Sequence, residues 1–287
     1  MAIGQDGLMT ISLIIPVYNR LALLEKCLKS VIKQDRLPDE IILSDDGSDE
    51  DIVFLLNNTI SQTKIPIKLV RQTHKGFRAA RARNNGAMLA ECDILVFIDQ
   101  DIVISNGYIS EIERVMRRDI FLSGYPIRLT AKQSNMLTNE AILSNGYRQY
   151  LNQIQIKKVR SQYRKDYFYY ILCRYLKLKK RGAKLRSGVL AIFRDDFYAV
   201  NGFDEKYIGW GNEDDDLGRR LYAFGKVGFN FCLKEIPLHL HHEPFHFSAQ
   251  RVNQEYSNTR KKLITKNNFS CENGVKQPRP DIEILYE

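Results

Sequence analysis

Residues 94–101 read Ile-Leu-Val-Phe-Ile-Asp-Gln-Asp: five apolar residues, then two carboxylates separated by one position. A short β-rich apolar run bounded by polar residues predicts a strand buried on both faces, as in a sheet covered by helices. Ligands of such sheets sit at the carboxyl ends of the strands, where Asp99 and Asp101 would emerge. Alternate residues of an extended chain point the same way, so both carboxylates can face one point. Two such groups repel unless a cation lies between them. Hard oxygen ligands suit Mg²⁺ or Mn²⁺, ions that keep places open for substrate phosphates. The segment thus predicts a metal–diphosphate site, against the plainer reading that strand-end aspartates begin turns.

The neighbouring pattern supports such a sheet. Ile11–Val17, Glu40–Leu43, Ile67–Arg71 and Ile94–Ile98 read as strands; Leu21–Lys33, a segment from Ile52, and Phe77–Leu89 read as helices. This alternation predicts right-handed βαβ units and a mainly parallel, Rossmann-like α/β sheet flanked by helices. A helix and a strand around Phe121–Ile127 follow. Residues 131–186 read as mostly helical, with aromatics among basic residues. Ser187–Phe193 returns to β pattern, Asp214–Phe224 is a helix and Val227–Phe231 a strand. The tail after Arg251 reads as a helix fraying into an extended end.

The 287 residues suffice for one large core or two closely packed halves, and 44% apolar with 27% charged residues is ordinary for a soluble globular protein. No stretch reaches the roughly 20 apolar residues that span a bilayer, and no signal peptide opens the chain. Five scattered cysteines with no CxxC pair argue against a disulfide framework or zinc knuckle, so a reducing cytoplasm fits. The net charge of +9 is concentrated: residues 157–186 hold twelve Lys/Arg against the single acid Asp166.

Other clusters fall where the predicted sheet would place a site. Pro16-Val17-Tyr18-Asn19 closes the first strand; a tyrosine there can stack on a nucleobase, although a strand terminator would suffice. Asp46 lies in the turn after the second strand, where a carboxylate can accept the imide N–H of uracil. Arg78, Arg81 and Arg83 sit near a helix start, a position that attracts phosphate. Gly209-Trp210-Gly211-Asn212-Glu213-Asp214-Asp215-Asp216 places the only tryptophan between glycines and ahead of four acids. The acids suit a helix start. The indole beside them reads as a sugar platform. In His239-Leu240-His241-His242-Glu243, one imidazole could complete the coordination of an ion held by Asp101. Extended geometry puts His239 and His241 on one side and disfavours His242.

Taken together, Ile-Pro-Val-Tyr-Asn, Ser-Asp-Asp-Gly-Ser, Arg83-Asn84-Asn85-Gly86 and Asp99-Gln100-Asp101 resemble family 2 glycosyltransferases of the GT-A fold. Gly209–Leu217 resembles the Gly-Trp-Gly-x-Glu-Asp segment of galactosyltransferase and chondroitin-polymerase type domains, and His241-His242-Glu243-Pro244 the His-x-Glu-Pro segment that follows it there. The resemblance implies that Pro16, Tyr18 and Asp46 bind uridine, with Arg78 or Arg83 and Gln100 near the nucleotide sugar. Asp99 would approach the ribose or metal, and Asp101 and His241 would ligate Mn²⁺ (or Mg²⁺). Trp210 and Glu213 would hold the acceptor sugar, and Asp214 would be the base. Gln100 and Asn212 depart from the commonest family residues. The implied organisation is a leader at 1–10, a nucleotide-sugar-binding half at 11–130, a basic helical insertion at 131–186, an acceptor-binding half at 187–250 and a tail at 251–287. The implied activity is metal-dependent, inverting transfer of galactose or N-acetylgalactosamine from a UDP-sugar to a glycan or lipid-linked acceptor in bacterial surface polysaccharide synthesis.

Two rival readings compete with this one. A nucleotidyltransferase would need a glycine-rich triphosphate loop after the first strand, and none is present. A nucleic-acid or membrane-binding module could use the aromatic and basic residues of 157–186. Peripheral membrane contact from the cytoplasmic side is preferred, and no nucleic-acid partner is expected.

Overall fold

The computed structural model describes residues 9–59, 63–209, 211–243 and 253–286. Strands β1 (Ile11–Val17), β2 (Glu40–Asp45), β3 (Ile67–Gln72) and β4 (Ile94–Ile98) lie parallel in the order β3-β2-β1-β4. Helices α1 (Leu21–Val31), α2 (Ile52–Thr59) and α3 (Ala79–Leu89) connect them. Strand alternation divides the apolar residues between two cores. Ile11, Leu13, Ile15, Ile94, Val96 and Ile98 pack with Leu24, Cys27, Leu28 and Val31 of α1. On the other face Ile14, Ile42, Leu95 and Phe97 meet Ala80, Ala87 and Ala90 of α3 and its C-terminal turn. This double burial explains the uninterrupted 94–98 run. Helix α3 packs so closely that a β-carbon at Gly86 would press on Ile14, which accounts for the small residues between its arginines.

The chain continues through β5 (Ile102–Val103), α4 (Tyr108–Val115), β6 (Ile120–Ser123), β7 (Ile127–Arg128), α5 (Ala131–Met136), α6 (Asn139–Leu143) and α7 (Gln153–Arg174). It completes with β8 (Val189–Phe193), α8 (Arg194–Ala199), α9 (Glu213–Ala223), β9 (Val227–Asn230), β10 (Leu238–His239), α10 (Gln254–Leu263) and β11 (Ile282–Tyr286). The main sheet has eight strands in the order β11-β3-β2-β1-β4-β8-β6-β9, and β5-β10-β7 form a second sheet of three. Four of the seven main-sheet pairings are parallel; β8 runs antiparallel to both β4 and β6, and β11 to β3. The mainly parallel α/β class expected from the sequence is therefore present.

Three local expectations change. Phe121–Ile127 is not one strand: Gly124-Tyr125-Pro126 interrupts it, proline offers no ladder N–H, and β6 and β7 join different sheets. Helix within 131–186 stops at Arg174 and gives way to irregular chain before β8. The tail does not fray. Asn201 anchors it by donating to the Cys271 carbonyl (2.8 Å) and accepting from the Lys276 amide (3.0 Å), and β11 then joins the sheet. All five cysteines are unpaired. No helix among the described residues is long and apolar enough to cross a membrane.

Candidate active site

Parallel register brings the ends of β1, β2, β3 and β4 to one edge, with Val17 beside Asp45 and Asp45 beside Arg71. Pro16 lies within β1 opposite Ser44, one residue before this edge. The next turn places Asn19 and Arg20 at positive φ (49° and 59°). Gln100 braces that turn: its Oε1 accepts from the Tyr18 amide (2.7 Å) and its Nε2 donates to the Asn19 carbonyl (2.7 Å). The uncommon middle residue of Asp-Gln-Asp thus ties β4 to β1. Tyr18 stacks on His74 with ring centroids 4.5 Å apart and planes 10° apart.

Asp46 is buried behind this pair. Gln72 donates to its Oδ1 (2.6 Å), the Arg78 amide donates to its Oδ2 (3.0 Å), and Asn85 donates to Gln72 (2.8 Å). Burial raises its carboxyl pKa despite those donors. The sequence offered no signal for the Asn85–Gln72–Asp46 chain, whose members lie on three elements. The arginines separate in role. The Arg78 guanidinium binds the Thr73 carbonyl and lies 3.8 Å from Asp46. Arg83 is buried and donates to Asp99 Oδ1 at 2.8 Å, with Glu213 at 3.9 Å. Gly188 backs Asp99 so tightly that a β-carbon there would collide with its carboxylate.

Helix α9 brings in the acids. It begins after Asn212, itself at φ 76°, and carries Glu213 and Asp214 in its first turn. Burial, then the Asp214 charge, pushes the Glu213 carboxyl up to about 7 against the opposing pull of Arg83. Desolvation likewise raises Asp99, with Arg83 lowering it and Asp101 raising it. Asp101 Oδ1, Glu213 Oε2, Asp214 Oδ1 and Arg83 Nε and Nη1 are buried polar atoms with no hydrogen-bond partner among the described residues. Orphans of this kind are costly and uncommon. Their gathering in one place marks where a polar ligand would bind. Arg186, stacked 3.2 Å over the Tyr125 ring, completes the rim; burial lowers its pKa to about 10, and Asp214 opposes that shift.

The imidazoles depart from expectation. His242 Nε2 lies 2.9 Å from Asp101 Oδ2 and His239 Nε2 lies 3.7 Å away, so Asp101, His239 and His242 form the cluster able to hold an ion. His241 does not join it: its side chain is exposed and its amide bonds Ser134 Oγ (2.7 Å). Strict alternation fails because β10 ends at His239 and Leu240 turns into the core of the small sheet, its amide bonded to the Asp101 carbonyl (2.9 Å). His239 gives its Nδ1–H to the Leu240 carbonyl (2.9 Å), which leaves Nε2 as a free lone pair. Arg20 Nη1 lies 2.9 Å from His242 Nδ1, a contact sequence reasoning did not anticipate. Carboxylate oxygen with two imidazole nitrogens, and the unused Asp101 Oδ1, is a mixed oxygen–nitrogen donor set that a divalent first-row transition ion such as Mn²⁺ can accept.

Trp210 lies outside the described residues. Its neighbours Gly209 and Gly211 take φ of 76° and 101°, and Asn253 Nδ2 ties the turn by donating to the carbonyls of Ile208 and Gly211 (both 3.0 Å).

With this geometry in place, likeness to known proteins is informative. Residues 12–181 match the family model "Glycosyl transferase family 2", and residues 169–243 match a model described as the N-terminal domain of galactosyltransferase. The chain is 27% identical over 231 residues to validoxylamine A glucosyltransferase of Streptomyces hygroscopicus subsp. limoneus, covering 75% of this chain and 48% of that protein. It is 27% identical over 227 residues to hyaluronan synthase of Pasteurella multocida, covering 75% of this chain and 23% of that protein. The chain thus spans about half or less of these relatives. The structure of GalNAc-T7 with UDP, GalNAc and Mn²⁺ superposes with a TM-score of 0.58 at 17% identity, over 89% of this chain and 49% of that one. That likeness establishes the shared GT-A fold.

Proposed function

The chain belongs to glycosyl transferase family 2 and is a glycosyltransferase, and we propose that it moves a hexose from a UDP-sugar, with inversion, to a hydroxyl of a glycan or lipid-linked glycan. One observation carries this reading: the unpartnered oxygens of Asp101, Glu213 and Asp214 belong to carboxylates that all interact electrostatically with Asp99, just beyond β4. UDP and a galactose-type donor, galactose or N-acetylgalactosamine, are favoured by the galactosyltransferase-type match and by the ligands of GalNAc-T7. Relatedness to hyaluronan synthase favours polysaccharide synthesis.

Tyr18, backed by His74, offers the base a stacking face, and Asp46 shapes the wall behind it. Pro16 lies in β1 one residue before the sheet edge, and Gln100 holds the Tyr18 turn in place. Asp101, His239 and His242 would hold Mn²⁺ or Mg²⁺, which when bound supplies Lewis-acid neutralisation of the diphosphate. Arg83 holds Asp99 in its orientation, and Arg78 borders the nucleotide side. Trp210 and Glu213 position the acceptor sugar. Asp214 Oδ1 takes the proton of the acceptor hydroxyl as that oxygen bonds the anomeric carbon from the face opposite the leaving group. The bond from that carbon to the diphosphate oxygen breaks with its electron pair leaving on UDP. Glu213, raised to about 7, can donate or accept toward a neighbouring sugar hydroxyl near neutral pH.

A panel of UDP- and GDP-sugars incubated with Mn²⁺ and assayed for release of the nucleoside diphosphate tests the donor assignment. Release from UDP-galactose or UDP-N-acetylgalactosamine above the others is expected. A clear preference for a GDP-sugar would end the uridine reading.

A further inference from the structure

Residues 153–181 form a surface that the site does not use. Ile154, Ser161, Phe168 and Tyr175 recur every seven residues, so they line one stripe along α7 and its C-cap. Ile154 is 79% exposed, Phe168 60% and Tyr175 62%. Lys157, Lys158, Arg164 and Lys165 flank the stripe and are also exposed.

Beyond the helix the chain folds back, with the Leu176 amide bonded to the Ile171 carbonyl (3.2 Å) and the Leu178 amide to the Leu172 carbonyl (2.9 Å). Lys177 makes the bend at φ 55°. Leu176 and Leu178 stand out from this fold at 54% and 72% exposure, among Lys177, Lys179, Lys180 and Arg181. The segment's one acid, Asp166, is buried and accepts from Gln162 (2.8 Å) and Asn230 (2.9 Å), so it does not offset these cations at the surface.

A merely solvated basic face does not explain a row of large apolar side chains. Single-stranded nucleic acid would use the aromatic rings, but Ile154, Leu176 and Leu178 offer it no stacking face. Apolar tips ringed by long cationic side chains do match a lipid headgroup boundary, where aliphatic stems bury and ammonium groups meet phosphates. We propose that this face seats the protein on an anionic bilayer, with Leu176 and Leu178 entering the interface and the surrounding lysines and arginines contacting lipid phosphates. The same stretch runs on through Lys184 to Arg186 at the rim by Asp214. Seating it therefore presents the site to lipid-anchored acceptors, a consequence that rests on the acceptor reading above.

Flotation of the full chain with vesicles of phosphatidylcholine, alone or mixed with phosphatidylglycerol, tests the proposal. Binding to the mixed vesicles only, weakening as salt rises, is expected. The Leu176→Ser/Leu178→Ser double variant should lower the bound fraction by about tenfold or more with an unchanged melting temperature. The proposal is overturned if the wild-type chain ignores anionic vesicles, if the double variant binds as well, or if the chain retains a single-stranded oligonucleotide or heparin but no vesicle. The assay uses neither donor nor acceptor, so a failed donor assignment leaves its outcome intact.

Discussion

Two acid–arginine clusters share helix α9. In the first, Arg220 is fully buried and donates Nε to Asp216 (2.6 Å) and Nη1 to the carbonyls of Val200 and Gly202 (both 2.7 Å). Arg260 reaches the same aspartate at 3.3 Å and Asp204 at 3.6 Å, and the Tyr256 hydroxyl donates to Asp204 (2.6 Å). Only Arg220 Nη2 lacks a partner in that pair. In the second cluster Asp99, Glu213 and Asp214 surround the single Arg83, and several of their polar atoms are unmatched. The α9 acids of the two clusters are all carboxylates within four consecutive residues, Glu213 to Asp216. What separates them is saturation: a charge whose lone pairs are taken holds elements together, and one left short of partners is available to a ligand.

The comparison can be broken, beginning with its largest expected effect. Asp214→Asn should cut sugar transfer by about 10²–10⁴-fold while UDP affinity, measured calorimetrically with Mn²⁺, stays level. Near-full turnover would remove Asp214 from the base role. Asp216→Ala should do the reverse, costing about 3–5 kcal/mol of stability in urea unfolding because Arg220 is left buried and uncompensated. A loss under about 0.5 kcal/mol, the range of ordinary surface changes, would mean the saturated cluster is dispensable. His242→Ala should weaken Mn²⁺-dependent UDP binding by about 10–100-fold, whereas His241→Ala should leave it unchanged. The opposite ranking would return His241 to the metal.

The smallest effect concerns pH. The Glu213 carboxyl rises from its ordinary 4.5 to about 7 on folding, so the native state binds more protons than the unfolded chain between those values. Stability should therefore fall as pH rises from 4.5 to 7. Glu213→Gln should flatten that decline and be relatively more stable above pH 7. Parallel denaturation curves for the two proteins across this range would rule out the buried, repelled carboxyl.

The sheet was legible because its signal is local: apolar runs of strand length separated by helical periodicity place Asp46, Asp99 and Asp101 on one edge. The acids of α9 were legible as a group, but their division was not. Asp215 pairs with Arg219 (2.8 Å), Asp216 is buried with Arg220, and the first two of the four act on Arg83; this sorting depends on where neighbouring segments pack. The choice of His242 over His241 was hidden because a two-residue strand cannot enforce alternation beyond its end. The Gln72–Asn85 support of Asp46 left no trace, since common polar residues at unrelated positions carry no pattern. Trp210 made the 209–217 segment conspicuous, and its own placement lies outside the described residues.

Strand β11 pairs antiparallel with β3, from Ile282 opposite Gln72 to Tyr286 opposite Leu69. Without it, one flank of the eight-stranded sheet would present a row of bare amide and carbonyl groups, an open template for strands of other molecules. Strand β11 becomes that flank itself, and its register shift between Ile284 and Tyr286 makes it a poorer template than the regular edge of β3 that it covers. Cutting it away would replace a blunted border with a more aggregation-prone one.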